Sequence, residues 1–406
     1  MSNSWLTNVR LEKGYIYEDG EITGTETDIY HIRIQDGVIA EIVPSDQVQL
    51  DDELLKVDSK EWLMLPSFKE MHIHIDKTYY GGPWKAVRRT GGIFGRIAEE
   101  RELLPKLLPT AQHRAEGILA TLLAFGSTHV RTHCNIDPVI GLSNLEATMR
   151  ALEHYSDKLS YEVVAFPQHG LLRSNVAPLV REAMKQGATF VGGVDPATVD
   201  ENIEKSLQTI MEIAVEANAG VDIHIHDQGE AGISTMKRLA DLTEEAGWHG
   251  RVTVSHAFGF AGIAAGSASE LAARFAELGI SIASSVPIGG RSMPIPLLHE
   301  QGVTVELGTD SLTDHWSPFG NGDNLEKVGR LAELYGYSDE RSLSQALGFI
   351  TGGVTPLNRE GEQVWPRIGD TAHVVFVEAS CSAEAVARRS PRMATLFHGN
   401  VVSGYI

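Results

Sequence analysis

A chain of 406 residues with 42% apolar residues and 40 Gly is long for one compact unit, but a (β/α)8 barrel reaches that length. Lys and Arg number 34 against 54 Asp and Glu, a formal net charge of −20. That balance argues against the basic surfaces that hold nucleic acid or anionic membrane, and no run supplies the roughly 20 apolar residues of a membrane span.

The opening residues carry no basic region followed by an apolar stretch, so no secretory signal is expected. Cys134 and Cys381 are too few and too far apart for a disulfide framework or a cysteine-type zinc motif. The expectation is a cytoplasmic protein with reduced thiols. Trp5–Leu11, Tyr30–Gln35 and Val38–Ile42 read as strands, and Asp36-Gly37 between the last two reads as a two-residue hairpin turn.

From about residue 60, short apolar strands alternate with helical stretches. Leu63–His74, Thr128–Ile136, Tyr161–Gln168, Phe190–Pro196, Val221–Asp227, Val252–Phe258, Ser281–Pro287 and Val303–Asp310 read as buried strands. Between them Ala111–Phe125, Ala177–Gln186, Ile203–Ala217, Ile233–Ala246 and Ser269–Leu278 read as helices, and the Ala/Gly-rich run Phe260–Ala268 as a flexible loop. This alternation predicts a (β/α)8 barrel over residues 59–361. Strand signals return at His373–Val377 and Leu396–Val402, the latter with His398-Gly399-Asn400 as a closing turn. Residues 1–58 and 362–406 are each too small to bury a core alone, so they are expected to pair into one small β-sandwich domain.

Chemistry in such a barrel sits at the carboxyl ends of the strands. The first strand ends in His72-Ile73-His74, and period-two alternation points both imidazoles one way, as a metal site needs. Further strand ends carry His133, Gln168-His169, His224-Ile225-His226-Asp227, Ser255-His256 and Asp310-Ser311. Histidines gathered at the ends of several strands favour one divalent ion over isolated polar residues.

His-x-His on strand one, His on strands five and six, and Asp on strand eight resemble the amidohydrolase superfamily. VVAFPQ at Val163–Gln168, the run HIHIDK, GGVDP at Gly192–Pro196 and GTDSLTDHWSPFGNGDN at Gly308–Asn324 resemble its cytosine deaminase branch. GGVDPAT, DIHIHDQG, RVTVSHA and PFGNGD are most similar to enzymes of the N-isopropylammelide amidohydrolase type. The resemblance spans the chain. It implies that His72, His74, His224 and Asp310 bind one ion, for which Zn suits the donors and Fe(II) is the alternative. Strands three and four end without the bridging Lys or Glu of binuclear members, which supports a single ion.

The implied reaction is attack of metal-activated water on an electron-poor ring carbon, releasing ammonia or an amine from a pyrimidine or s-triazine-like heterocycle. Asp310 would accept the proton of that water and His256 would polarise the reacting oxygen. The proton donor to the leaving nitrogen is Asp227 or His226: cytosine deaminases carry Glu where Asp227 stands, one methylene longer. Lys77 would reach into the pocket, and Gln168 offers both donor and acceptor to a ring edge. Ser311 replaces a second Asp of the deaminases, Trp316 and Phe319 would line the mouth, and His133 would lie beside the site. A small heterocycle is the expected partner, in a homo-oligomer that binds neither nucleic acid nor membrane. The alternatives are a cyclic-amide hydrolase, which ordinarily needs the missing bridging Lys, and a metal-binding relative without catalysis.

Overall fold

The computed structural model describes residues 3–46, 50, 53–289 and 292–406. Sixteen strands in the described residues form two sheets. The first contains β1 (Asn3–Glu18), β2 (Glu21–Gln35), β3 (Val38–Pro44), β4 (Leu55–Asp58) and β5 (Leu63–Pro66). Eight parallel strands follow: β6 (Phe68–Ile73), β7 (Ser127–Asn135), β8 (Ser160–Phe166), β9 (Phe190–Val194), β10 (Gly220–His224), β11 (Val252–Ser255), β12 (Ser281–Ser284) and β13 (Val305–Leu307). The chain then returns to the first sheet with β14 (Val374–Val377), β15 (Arg392–Phe397) and β16 (Asn400–Gly404), in the order β16-β15-β14-β5-β1-β2-β3. The protein is therefore a (β/α)8 barrel with a β-sandwich-type domain built from both ends of the chain.

β1 and β2 are far longer than the expected Trp5–Leu11 and Tyr30–Gln35, and form one ribbon that turns at Asp19-Gly20. Asp19 and Gly20 both have positive φ, 52° and 87°, as a type I′ turn requires. Asp36 and Gly37 repeat that geometry at the β2–β3 turn, where the sequence predicts it.

The expected strand Leu63–His74 is two strands. β5 pairs with β14 in the terminal sheet, whereas β6 pairs with β7 in the barrel. Pro66 supplies no backbone donor and lies at the end of β5, where a ladder can stop. The barrel closes where Ile73 bridges Asp310: the Asp310 amide donates to the His72 carbonyl at 2.7 Å and the Thr309 amide to Glu70 Oε1 at 2.9 Å. Gly308 permits this approach, since a Cβ there would lie 2.5 Å from the His72 nitrogen.

Helices cover the barrel: α1 (Gly92–Leu107), α2 (Ala111–Ala124), α3 (Ser143–His154), α4 (Ala177–Lys185), α5 (Ile203–Ala217), α6 (Gly229–Glu245), α7 (Ala265–Leu278), α8 (Ile295–Glu300) and α9 (Asn324–Tyr335). α5 occupies the predicted span because Asn202 caps its first turn through the Lys205 amide and Asn218 ends it in the left-handed conformation. α7 begins at Ala265, so the end of the expected loop Phe260–Ala268 is helical. Apolar side chains between the barrel and its helices make the main core, and a smaller one fills the terminal sheet. Among the described residues no helix is long and apolar enough to cross a membrane.

Candidate active site

The carboxyl ends of β6, β10 and β13 bring four donor groups together. His72 Nε2 lies 3.4 Å and His74 Nε2 3.6 Å from Asp310 Oδ1, and His224 Nε2 lies 3.4 Å from His74 Nε2. Two ligands of one tetrahedral zinc with bonds near 2.05 Å stand about 3.3 Å apart, and these three separations are of that size; His72, His74 and Asp310 form a triplet close enough to share an ion. Burial above all, with neighbouring imidazoles and Lys77, drives the His74 pKa well below its ordinary value. Burial does the same to His224, aided by His133 and His72. Both rings are therefore neutral, the form that binds a metal. Burial would raise the Asp310 pKa, but His256 and the hydrogen bond from His72 outweigh it and hold the carboxyl well below the usual carboxylate range.

Asp310 takes φ = 61° and His256 φ = 70°, left-handed conformations that Asp and His adopt more readily than most residues.

A chain of hydrogen bonds fixes the tautomer of His72. Ser255 donates its hydroxyl to Asp222 Oδ1 at 2.6 Å, so it accepts from His72 Nδ1–H at 2.8 Å. That leaves the His72 Nε2 lone pair facing the other donors, where it has no hydrogen-bond partner. Asp222 is in turn held by Arg131 at 3.1 Å, and Arg131 by Glu162 at 2.7 Å. His133, fully buried, packs beneath these rings, 4.2 Å from His72 and 4.6 Å from His224 between centroids. His72, His133 and His224 form a second triplet of nitrogens close enough to share an ion.

Lys77 is buried beside this cluster, and each of its three N–H donors has a partner. Nζ reaches Gln168 Oε1 at 3.0 Å, Glu100 Oε1 at 3.3 Å and Asn135 Oδ1 at 3.4 Å. Glu100, on α1, also accepts from Trp316 Nε1 at 2.8 Å, His315 Nε2 at 2.9 Å, His169 Nε2 at 3.0 Å and Asn135 Nδ2 at 3.2 Å. Burial opposes charge on both groups. Glu100 and Asp76 nevertheless raise the Lys77 pKa, and Lys77 with His169 and His315 hold Glu100 well below the usual carboxylate range. The pair is ionised. Because Lys77 takes the Gln168 oxygen, the Gln168 amide group is left as a donor to the cavity.

On the opposite side, Asp195 organises the end of β10. Its Oδ1 accepts from the His226 and Asp227 amides at 2.6 and 3.0 Å, and its Oδ2 lies 2.8 Å from His226 Nδ1. The His226 ring stacks on His256 with centroids 4.4 Å apart. His256 Nε2 in turn lies 4.0 Å from Asp310 Oδ2. Asp227 accepts a hydrogen bond from the Thr198 hydroxyl through Oδ1, while Oδ2 has no partner. Burial, then Asp195, raises its pKa against the Thr198 bond.

These groups open into a cavity of about 790 Å³ lined by His74, Lys77, Gln168, His224, His226, Asp227, His256, Asp310, Ser311 and Trp316. His72 and His133 lie behind that wall, and Phe319 is 76% exposed and off it. Glu100, Asp195, Ser255 and Arg131 escape sequence reading as site residues. Asp195 and Ser255 fall inside the GGVDP and RVTVSHA runs, whereas Glu100 sits in an acid-rich stretch, EERE, with nothing to single it out.

The sequence signature of the amidohydrolase family matches residues 95–403. The uncharacterized protein YahJ of Escherichia coli (strain K12) is 46% identical over 405 residues, covering 99% of this chain and 88% of that protein. The crystal structure of N-isopropylammelide isopropylaminohydrolase from Burkholderia multivorans superposes with a TM-score of 0.87 at 27% identity, covering all of both chains. The 5-methylcytosine deaminase of Klebsiella pneumoniae, liganded with 5-fluorocytosine, gives a TM-score of 0.80 at 25% identity, covering 99% and 98% of the two chains.

Proposed function

The chain belongs to the amidohydrolase family, in its cytosine deaminase-like branch, and we propose that it removes ammonia or an amine from a small nitrogen heterocycle with the help of one divalent ion. A hydrolase acting on carbon–nitrogen bonds is the family's chemistry; the heterocycle, of pyrimidine, s-triazine or pterin type, is the finer proposal. The observation that carries it is the convergence of His72, His74 and Asp310, with His224 Nε2 3.4 Å from His74 Nε2, against a cavity that His74, His224 and Asp310 line.

We assign the ion to those four residues, with Zn favoured by three imidazoles and a carboxylate and Fe(II) the alternative. When bound, the ion supplies Lewis acidity and lowers the pKa of a water to about 7, so that hydroxide is available near neutrality. Asp310, ionised and part exposed to the cavity, would take a proton from the attacking water. His256 would donate to the oxygen on which charge develops. Asp227 is our choice for protonating the leaving nitrogen: its Oδ2 is unpartnered at the cavity wall, and its raised pKa favours the acid form. His226, clamped by Asp195, would hold His256 in line. Gln168 would donate to a ring carbonyl or ring nitrogen, with Lys77 orienting it. Trp316 and Ser311 would border the ring, and His133 would support the ligand imidazoles from behind.

We further propose a cytoplasmic homo-oligomer whose terminal domain, expected over about residues 1–58 and 362–406, takes in β5 (Leu63–Pro66) as well.

The test is metal-loaded protein offered a panel of amino- and alkylamino-substituted pyrimidines, triazines and pterins, with ammonia or amine release as the readout. Release from at least one ring supports the proposal. Ring-opened products by mass would replace it with cyclic-amide hydrolysis, and loaded protein inert on the whole panel would overturn it.

A further inference from the structure

The segment that joins β6 to α1 lines the cavity through Val87, Arg88, Arg89 and Thr90, and the first turns of α1 add Arg96. Three arginines lining one cavity stand out in a chain of net charge −20. Arg96 has its carboxylate, Glu99 at 2.5 Å, and its other amino group donates to the Arg88 carbonyl at 2.7 Å. That bond ties the backbone of Arg88 to the start of α1. Arg88 and Arg89 themselves are exposed and form no ion pair among the described residues. Of the acids that share the cavity, Asp310 is engaged by the imidazoles and Asp195 by His226, and neither they nor Asp227 pairs with Arg88 or Arg89.

The cavity's volume is also telling. About 790 Å³ is the room a drug-sized ligand takes, several times what a single six-membered ring fills. A ring placed against Gln168 and Trp316 would leave the outer part of the cavity, with its two uncompensated cations, for a substituent. Guanidinium groups match oxyanions through two parallel N–H donors, a fit that a neutral substituent cannot use.

Resting on the reading of this site as that of a heterocycle hydrolase, we propose that the substrate carries an anionic oxygen group, carboxylate or phosphate, received by Arg88 and Arg89. The ring would be read at the floor and its charge at the rim.

The test is calorimetric titration of the zinc-loaded protein with two ligand pairs, each differing only by an anion: uracil against orotate, and uridine against uridine 5′-monophosphate. The anionic member of one pair should bind about tenfold or more tightly, and the pair that discriminates tells carboxylate from phosphate. The advantage should shrink as salt is raised, because the arginines are exposed. In Arg88→Ala/Arg89→Ala it should collapse. In Arg181→Ala/Arg238→Ala, which removes the same charge from the outer helices, it should persist. Equal binding within both pairs, binding of none of the four, or an advantage that survives the first double variant would overturn the proposal. An anion preference without any amine release in the panel described above would leave the anion subsite standing and remove the hydrolase reading instead.

Discussion

Lys77 Nζ and Glu100 Oε1 lie 3.3 Å apart, their side chains only 1% and 0% exposed, and together they anchor Gln168 and Trp316 on one wall of the cavity. A buried pair of this kind is costly to break, because the surviving charge has no water to turn to. Glu100→Gln should therefore destabilise the protein by about 3–5 kcal/mol and raise KM. Metal content should stay near that of the parent, since Glu100 touches none of the proposed ligands. Thermal melting, bound zinc and steady-state kinetics measured together check this; loss of metal with unchanged KM would contradict it.

The His72 imidazole gives a sharper contrast. His72→Ala should abolish metal retention and turnover together, since it removes one of the four donors. Ser255→Ala keeps the donor but releases the ring from its link to Asp222, which should weaken metal affinity about 10–100-fold. Zinc competition against a chelator measures both, and equal affinities in Ser255→Ala and parent would show that the link is idle.

Asp227 and His226 compete for the role of proton donor. Asp227→Asn should lower kcat by about 10²–10⁴ for a substrate with a poor leaving group, and far less for one with a good leaving group. His226→Gln should cost less on the poor one. A reversed order would move the general acid to His226.

Glu12, remote from the cavity, sets a pH dependence of stability. Burial raises its pKa from 4.5 to about 7, against the hydrogen bonds it accepts from Ser382. The folded state therefore holds this proton more tightly than the unfolded chain does. Its contribution is fully present below pH 4.5 and is lost as pH rises through about 7. At 1.36 kcal/mol per pKa unit the effect has an upper size of about 3 kcal/mol. Glu12→Gln should flatten the stability profile between about pH 5 and pH 8, which denaturant unfolding at several pH values would reveal.

Gly308→Ala tests the close approach at the barrel closure. A methyl group there would meet the His72 backbone and Cβ at 2.5–2.6 Å, so the strands must part. A loss of about 1–3 kcal/mol or more is expected, accompanied by weaker zinc binding. A variant with parental stability would show that the closure has slack.

The barrel strands and the terminal sheet were legible because buried parallel strands are continuous apolar runs, and turns such as Asp36-Gly37 announce themselves. Asp19-Gly20 carries the same signal, yet the ribbon around it is polar on exposed positions, so its length could not be read from apolar content. Pro66-Ser67 marks the break in the sequence, but β5 and β6 are both buried on either side of it, so burial alone does not tell that they belong to different sheets. Histidines at the strand ends were easy to notice, but they include His133, His226 and His256 as well; only the family resemblance picked out His72, His74 and His224 among them, and Asp310 with them. Glu100 could not be picked out. Its role comes from α1 lying across the strand ends, a tertiary fact, and α1 itself, with Gly95 and Pro105 inside it, gives a weak helical pattern.

The contact between Ile73 and Asp310 joins the first and last strands of the barrel at the very residue assigned to the ion. An ion bound there would act as a rivet across the only junction that the chain's own order does not secure. By mass action such a rivet strengthens the whole fold with its concentration, by about 4 kcal/mol at a thousand times its dissociation constant. Scarcity of the ion would then be felt first as a barrel that springs open, and only second as an enzyme that has stopped.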